Sequence, residues 1–106
     1  MAFESKLSSP ELNALFEIIL LLETEEECYR FFEDICTISE IRTIAQRLEV
    51  AKMLRKGVTY HEIAQRVGAS TATISRVNRA FIYGSGGYQA LLNRLDEANA
   101  AKDEKE

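Results

Sequence analysis

Cysteine and histidine are scarce in this chain of 106 residues, and their scarcity argues against stabilisation by disulfide bonds or by bound metal ions. The only cysteines, Cys28 and Cys36, are eight positions apart in what reads as one helix. That spacing separates their Cα atoms by about 12 Å, which exceeds disulfide reach. With His61 as the lone histidine and no Cys-x-x-Cys spacing, no metal site is expected. We expect both thiols to be small buried side chains.

Long hydrophobic runs, strand-like alternation and proline are also lacking. The longest apolar run, residues 18–22 (IILLL), is far shorter than a membrane span, and no basic leader with a cleavage site opens the chain. We therefore expect a cytoplasmic protein with no membrane partner. A single proline, five glycines and no stretch with a period of two predict an all-α fold.

Acidic and basic residues are segregated along the chain, although the formal net charge is only -4. Residues 1–41 hold two basic residues against ten acids, and residues 42–94 hold nine against two. A nucleic acid responds to the electrostatic potential of the surface that it approaches, rather than to the net charge of the whole chain. A negative net charge therefore does not exclude a nucleic-acid partner. Charge alone is equally consistent with solvated helix faces.

Helix-start and helix-stop residues divide the chain into six predicted helices in one domain, residues 1–106. Ser9 before Pro10 begins the first, and the capping box Thr24-x-x-Glu27 begins the second. Ser39 is the predicted cap of the third helix, which ends at Gly57. The glycine-rich residues 84–87 form a hinge before the last helix, and residues 100–106 form a charged tail that we expect to fray.

Residues 59–76, TYHEIAQRVGASTATISR, are the core of a predicted helix-turn-helix that spans about residues 59–82. Thr59-x-x-Glu62 is a capping box that begins a helix over residues 60–67. Gly68 can supply a positive φ at the corner, and Ser70 can cap the next helix. The predicted inner positions are Ile63, Ala64, Val67, Ile74 and Val77, with Ala64 small where the helices cross.

The outer face of the second motif helix favours DNA binding over a purely structural corner. It combines small side chains with arginines, and no acid occurs between Glu62 and Asp96. We predict that base edges are met by Thr71, Ala72 and Ser75. We predict that phosphates are met by Arg55, Lys56, His61, Ser70, Arg76 and Arg79. The alternative is a protein-interaction module that docks a partner through the same corner.

Residues from about 31 to 95, centred on ISEIRTIAQRLEVAKMLRKGVTYHEIAQRVGASTATISR, resemble the Trp repressor superfamily, most closely its YerC/YecD-type branch in Gram-positive bacteria. The resemblance implies a six-helix protomer and an intertwined homodimer, with a helix-turn-helix projecting from each side of the dimer. It also implies a transcriptional regulator, with repression the expected mode, rather than an enzyme. Independently, the last turns of the first helix are predicted to be apolar nearly all round, through Phe16, Ile18, Ile19, Leu20, Leu21 and Leu22. A second apolar strip comprises Tyr88, Leu91, Leu92 and Leu95. Both features favour a homodimer, although intrachain core is an alternative for the second strip.

The resemblance further implies an effector pocket formed by Arg47, Thr73 and Arg76, which match two arginines and a threonine of the Trp repressor. Two departures argue against L-tryptophan as the ligand. Val77 stands where the repressor has glycine, and Ala80 where it has the serine that meets the ligand's amino group. No cofactor is expected, and a different small-molecule effector stays open. The sequence specifies neither the operator nor the regulated genes.

Overall fold

The computed structural model describes residues 3–104 and forms six α-helices, with no β-strand among those residues. The predicted all-α class and the number of helices are confirmed. The helices are α1 (Pro10–Ile19), α2 (Glu25–Ile35), α3 (Ile38–Arg55), α4 (Tyr60–Val67), α5 (Thr71–Tyr83) and α6 (Gly87–Glu104). The contacts divide the chain into two compact units, one ending at Ile38 and the other beginning at Ser39. The expectation of a single domain stays a prediction.

In the first unit, both predicted N-caps are present. The Ser9 hydroxyl accepts a hydrogen bond from the Leu12 amide, and the Thr24 hydroxyl accepts one from the Glu27 amide. These bonds satisfy amides that have no partner within the helix. The ends differ from the sequence expectation, because α1 stops at Ile19 and Leu20–Leu22 follow in a turn. Cys36, expected within the second helix, caps its C-terminus instead.

No side chain of α1 or α2 is fully buried within the chain. Leu20 and Leu21 are 83% and 74% exposed, and Phe16 and Ile18 are about half exposed. The two cysteines are free and only half-buried, so the expectation that both are buried was wrong.

The third helix begins two residues earlier than predicted, at Ile38 rather than Glu40, so that Ser39 lies in its first turn rather than at the cap. Its C-terminus follows the prediction. Gly57 has φ +79°, its amide donates to the Leu54 carbonyl, and the Val58 amide donates to the Met53 carbonyl. This pair of bonds is a Schellman ending, which needs a left-handed residue at the glycine position.

The second unit contains the buried core. Its fully or almost fully buried side chains come from every helix of the unit and from the α4–α5 corner, and they are Val50, Ala51, Ile63, Ala69, Ile74, Val77 and Leu92. Met53, Leu54, Val58, Ala64, Val67, Phe81 and Tyr88 pack against them. The predicted inner positions of both motif helices are therefore confirmed, and the core fixes α5 against α4 and α6.

The last helix extends through Glu104, so residues 100–104 of the predicted frayed tail are helical, and residues 105 and 106 lie outside the described residues. The apolar strip of this helix divides in two. Leu92 and Tyr88 belong to the core of the chain, whereas Leu91 and Leu95 stay exposed. Within residues 3–104, none of the helices combines enough length with enough apolar character to cross a bilayer.

Candidate nucleic-acid interface

The corner between α4 and α5 is built by three local interactions that the sequence predicts. The Thr59 hydroxyl accepts from the Glu62 amide at 3.2 Å and begins α4. Gly68 ends it in the left-handed conformation, with φ +76°. The Ser70 hydroxyl then accepts from the Thr73 amide at 3.1 Å and begins α5. Helix, glycine corner and helix follow within 24 residues, as a helix-turn-helix requires.

Apolar contacts hold the two motif helices together. Ile63 on α4 and Ile74 on α5 are completely buried, and Val77 is buried one turn further on. Ala69, which the sequence reading missed, is also buried in the corner itself. Its position could have predicted this burial. A small apolar residue between the turn glycine and the capping serine is suited to face the core, where a long or polar side chain would not fit.

All predicted base-facing residues lie on the exposed face of α5. Thr71, Ala72 and Ser75 are exposed, and so are Arg76 and Arg79 one or two turns along. The buried positions Ile74 and Val77 alternate with them at helical spacing, so the outer face is fixed by the core. Short side chains at the start of a helix leave room for close approach to base edges, and the arginines extend the reach towards phosphates.

The cations of α5 are unpaired within the described residues. No carboxylate among residues 3–103 is at ion-pair distance from Arg76 or Arg79, whereas Lys52 pairs with Glu49 and Arg66 with Glu62. An unpaired guanidinium offers its full donor set to an anion, whereas a paired one must first exchange its carboxylate. Among the cations of the second unit, those of α5 are therefore well placed to bind an anion.

The other predicted phosphate-facing residues differ in their availability. His61 at the start of α4, Lys56 and Ser70 are exposed. Arg55 is instead directed towards α6, where its guanidinium forms an ion pair with the Asp96 carboxylate at 2.9 Å and donates a hydrogen bond to the Asn93 amide oxygen. No sequence pattern predicts this pair, because Arg55 and Asp96 are 41 positions apart and meet only in the folded chain.

The three residues of the expected effector pocket have different surroundings. Arg47 is half-buried, and its Nε finds no hydrogen-bond partner among the described residues. The Thr73 hydroxyl accepts from the Ser70 hydroxyl, and Arg76 is exposed. Val77, expected to add bulk beside a ligand, is packed into the core. An open, mostly apolar cavity of about 500 Å³ is lined by Leu48, Ala80, Ser85, Gly87, Tyr88 and Leu91.

Comparison with known proteins gives consistent matches along most of the chain. The family model described as Trp repressor protein matches residues 10–96. The protein YerC of Bacillus subtilis (strain 168), whose function is uncharacterised, is 55% identical over 100 residues, which cover 94% of this chain and 96% of YerC.

Two solved structures match the fold closely. One is a protein from Staphylococcus aureus proposed to be a Trp repressor, with 52% identity, a TM-score of 0.83 and coverage of 86% of this chain and 91% of that one. The other is a TrpR-like protein from Eubacterium eligens ATCC 27750, with 54% identity, the same TM-score and coverage of 86% and 94%. At these identities, the chain is similar to both structures in sequence as well as in backbone fold.

Proposed function

The chain belongs to the Trp repressor family, and from that premise we propose that it is a non-enzymatic, sequence-specific regulator of transcription that binds double-stranded DNA as a homodimer in the cytoplasm. Repression is the mode we expect. The observation that carries the proposal is the outer face of α5, where small polar side chains and arginines are exposed and no carboxylate among residues 3–103 pairs with these arginines.

In the proposed complex, α5 enters the major groove with its N-terminal residues towards the bases. Thr71, Ala72 and Ser75 face base edges, and Arg76 and Arg79 reach the flanking phosphates. In helix-turn-helix docking the first helix crosses the backbone, so His61 at the start of α4 and Ser70 at the corner would also lie near phosphates.

A second copy of the chain supplies the cover that one chain lacks. Each of the two units leaves large apolar side chains exposed, on α1 and the turn after it in the first unit and on α6 in the second, and such exposure is unfavourable in water. They are Phe16, Ile18, Leu20, Leu21, Leu91 and Leu95. Twofold association is the commonest way to bury such a surface, and it places one α5 helix on each side of the dimer.

An effector would bind near Arg47, Thr73 and Arg76 in this proposal. The Nε–H of Arg47, which has no hydrogen-bond partner among the described residues, could donate to an acceptor atom of a ligand. We expect the ligand to be a small molecule other than L-tryptophan, since Ala80 offers no hydroxyl to an amino group. Calorimetric titration with L-tryptophan tests this point, and clear micromolar binding would contradict it.

The decisive experiment measures binding of the full chain to a library of genomic fragments at two salt concentrations, followed by sequencing of the bound fragments. A DNA-binding regulator should lose affinity steeply between about 50 and 200 mM salt and enrich a common motif. A protein-interaction module would show neither salt-steep affinity nor enrichment. Replacing Thr71 with Val should change the enriched motif, because a base-facing hydroxyl is lost while net charge is unchanged.

A further inference from the structure

A polar cleft lies at the C-terminal end of α3, where α6 packs beside it. It measures about 320 Å³ and is lined by Lys52, Arg55, Lys56, Leu92, Leu95, Asp96 and Asn99. Two cations from the last turn of α3, Lys52 and Arg55, and Lys56 directly after it thus share a cleft with a single carboxylate. Asp96 is also the first acid after Glu62 in the sequence, so it ends the longest acid-free part of the chain.

The carboxylate of Asp96 is directed at one cation in particular. Its Oδ2 lies 2.9 Å from a terminal nitrogen of Arg55, and the same nitrogen donates to the side-chain oxygen of Asn93 one turn earlier on α6. The side chain of Arg55 is 29% exposed and that of Asp96 is 68% exposed. The pair is therefore in contact with water, and an exposed pair of this kind contributes little net stability.

The position of Arg55 makes this pair relevant to DNA. Arg55 and Lys56 precede α4 by only a few residues, and the start of α4 is the part of a helix-turn-helix that approaches the phosphate backbone. A carboxylate and a phosphate use the same guanidinium donors in the same fork geometry. Asp96 consequently occupies donors of Arg55 that a DNA phosphate would otherwise take.

We propose that Asp96 limits the affinity of the chain for DNA, because it holds Arg55 away from DNA phosphates. The inference rests on the proposed DNA-binding function and adds a role for α6 to it. Non-specific binding comes almost entirely from phosphate neutralisation, whereas the proposed base contacts by α5 do not involve Arg55. One phosphate contact fewer therefore lowers the affinity for DNA of any sequence, and random-sequence DNA reports this effect without a contribution from base contacts.

The test compares full-length variants by fluorescence anisotropy with a random-sequence duplex of about 30 base pairs, long enough for two half-sites one turn apart. Asp96→Asn should bind this duplex roughly two- to fivefold more tightly at low salt, as expected for release of an exposed pair. The slope of log affinity against log salt should steepen by about 0.9, the value for one added phosphate contact. Asn93→Ala should act in the same direction without changing the net charge, because it also loosens Arg55.

Glu97→Gln is the matched control, since it removes the same charge from the neighbouring exposed position. It should change affinity less than Asp96→Asn, and in an Arg55→Gln background Asp96→Asn should have no greater effect than Glu97→Gln. Equal effects of the two neutralisations, or an Asp96→Asn effect that persists without Arg55, would overturn the inference and leave the proposed function intact. If the unaltered chain shows no salt-dependent DNA binding, the proposed function fails and the inference fails with it. Thermal melting of each variant confirms that folded protein is compared.

Discussion

At the scale of single residues, α5 separates its side chains by size and polarity. Ile74 and Val77 are branched and buried, and the residues between them are small or carry a guanidinium and are exposed. The buried pair fixes the rotation of the helix, because turning it would bring Ser75 into the core without a hydrogen-bond partner. The same two residues that stabilise the fold therefore determine which side chains lie on the outer face of α5, the face proposed to contact DNA.

Arg79 provides the first prediction. Arg79→Ala should weaken binding to all DNA sequences and lower the steepness of the salt dependence by about 1, because one unpaired phosphate-facing cation is lost. Anisotropy titrations at several salt concentrations measure both quantities. Arg30→Ala is the control, since Arg30 pairs with Glu26 on α2 and lies outside the basic half of the chain. Equal losses in the two variants would mean that net charge, rather than position, sets the affinity.

At the scale of elements, the α4–α5 corner depends on the backbone of one glycine. Gly68 has φ +76°, and a Cβ placed on it would meet no atom within 4 Å. A substitution at Gly68 would therefore meet no steric clash. Its cost would be the conformational strain of a side chain on a left-handed backbone. The corner sets the crossing of α4 and α5, so this strain acts directly on the proposed interface.

Gly68→Ala should lower the free energy of unfolding by about 1–2 kcal/mol, the cost of left-handed backbone for a residue with a Cβ. Thermal denaturation at fixed protein concentration measures the change, since association also affects the midpoint. Gly87→Ala is the matched control, because Gly87 lacks a positive φ, also has open space around it and begins α6. Its stability should be unchanged or slightly higher. A Gly68→Ala protein as stable as the control would show that the corner relaxes without strain.

The boundaries of these elements show how far local sequence determines the structure. Thr59, Gly68 and Ser70 specify α4 and the start of α5 correctly, because caps and left-handed turns depend on residues three or four positions apart. The end of α1 was placed too late, since the apolar residues 20–22 continue the composition of the helix without continuing its hydrogen bonds. The pairing of Arg55 with Asp96 could not be predicted, because only tertiary packing brings α6 to α3.

At the scale of the whole molecule, apolar and charged surfaces are divided between different segments. The acid-rich residues 1–41 include α1 and α2 with their exposed apolar side chains, whereas the basic residues 42–94 include the helix-turn-helix. This division suits a dimer in which the apolar segments associate and the basic segments stay exposed to DNA. Association and DNA binding can then be altered separately.

Leu21→Glu should convert the dimer to monomers. Leu21 is 74% exposed in the single chain, so the change costs the monomer little, but a carboxylate buried in an interface without a partner costs several kcal/mol. Sedimentation at micromolar concentration should show the mass of one chain for the variant and of two chains for the unaltered protein. Asn13→Glu, which adds the same charge on the polar face of α1, should remain dimeric. A monomeric unaltered protein at this concentration would contradict the proposed dimer.

The spacing of the DNA half-sites depends on that dimer. Two α5 helices related by a twofold axis should read half-sites about 34 Å apart, one turn of the duplex, so the bound genomic fragments should contain inverted half-sites centred about 10 base pairs apart. Inserting five base pairs between them moves one half-site to the opposite face of the duplex, and affinity should fall towards the non-specific level. Substituting the central bases without changing their number is the control, and it should retain most of the affinity. An enriched motif without inverted symmetry, bound equally well after the insertion, would show that one α5 helix is sufficient for recognition.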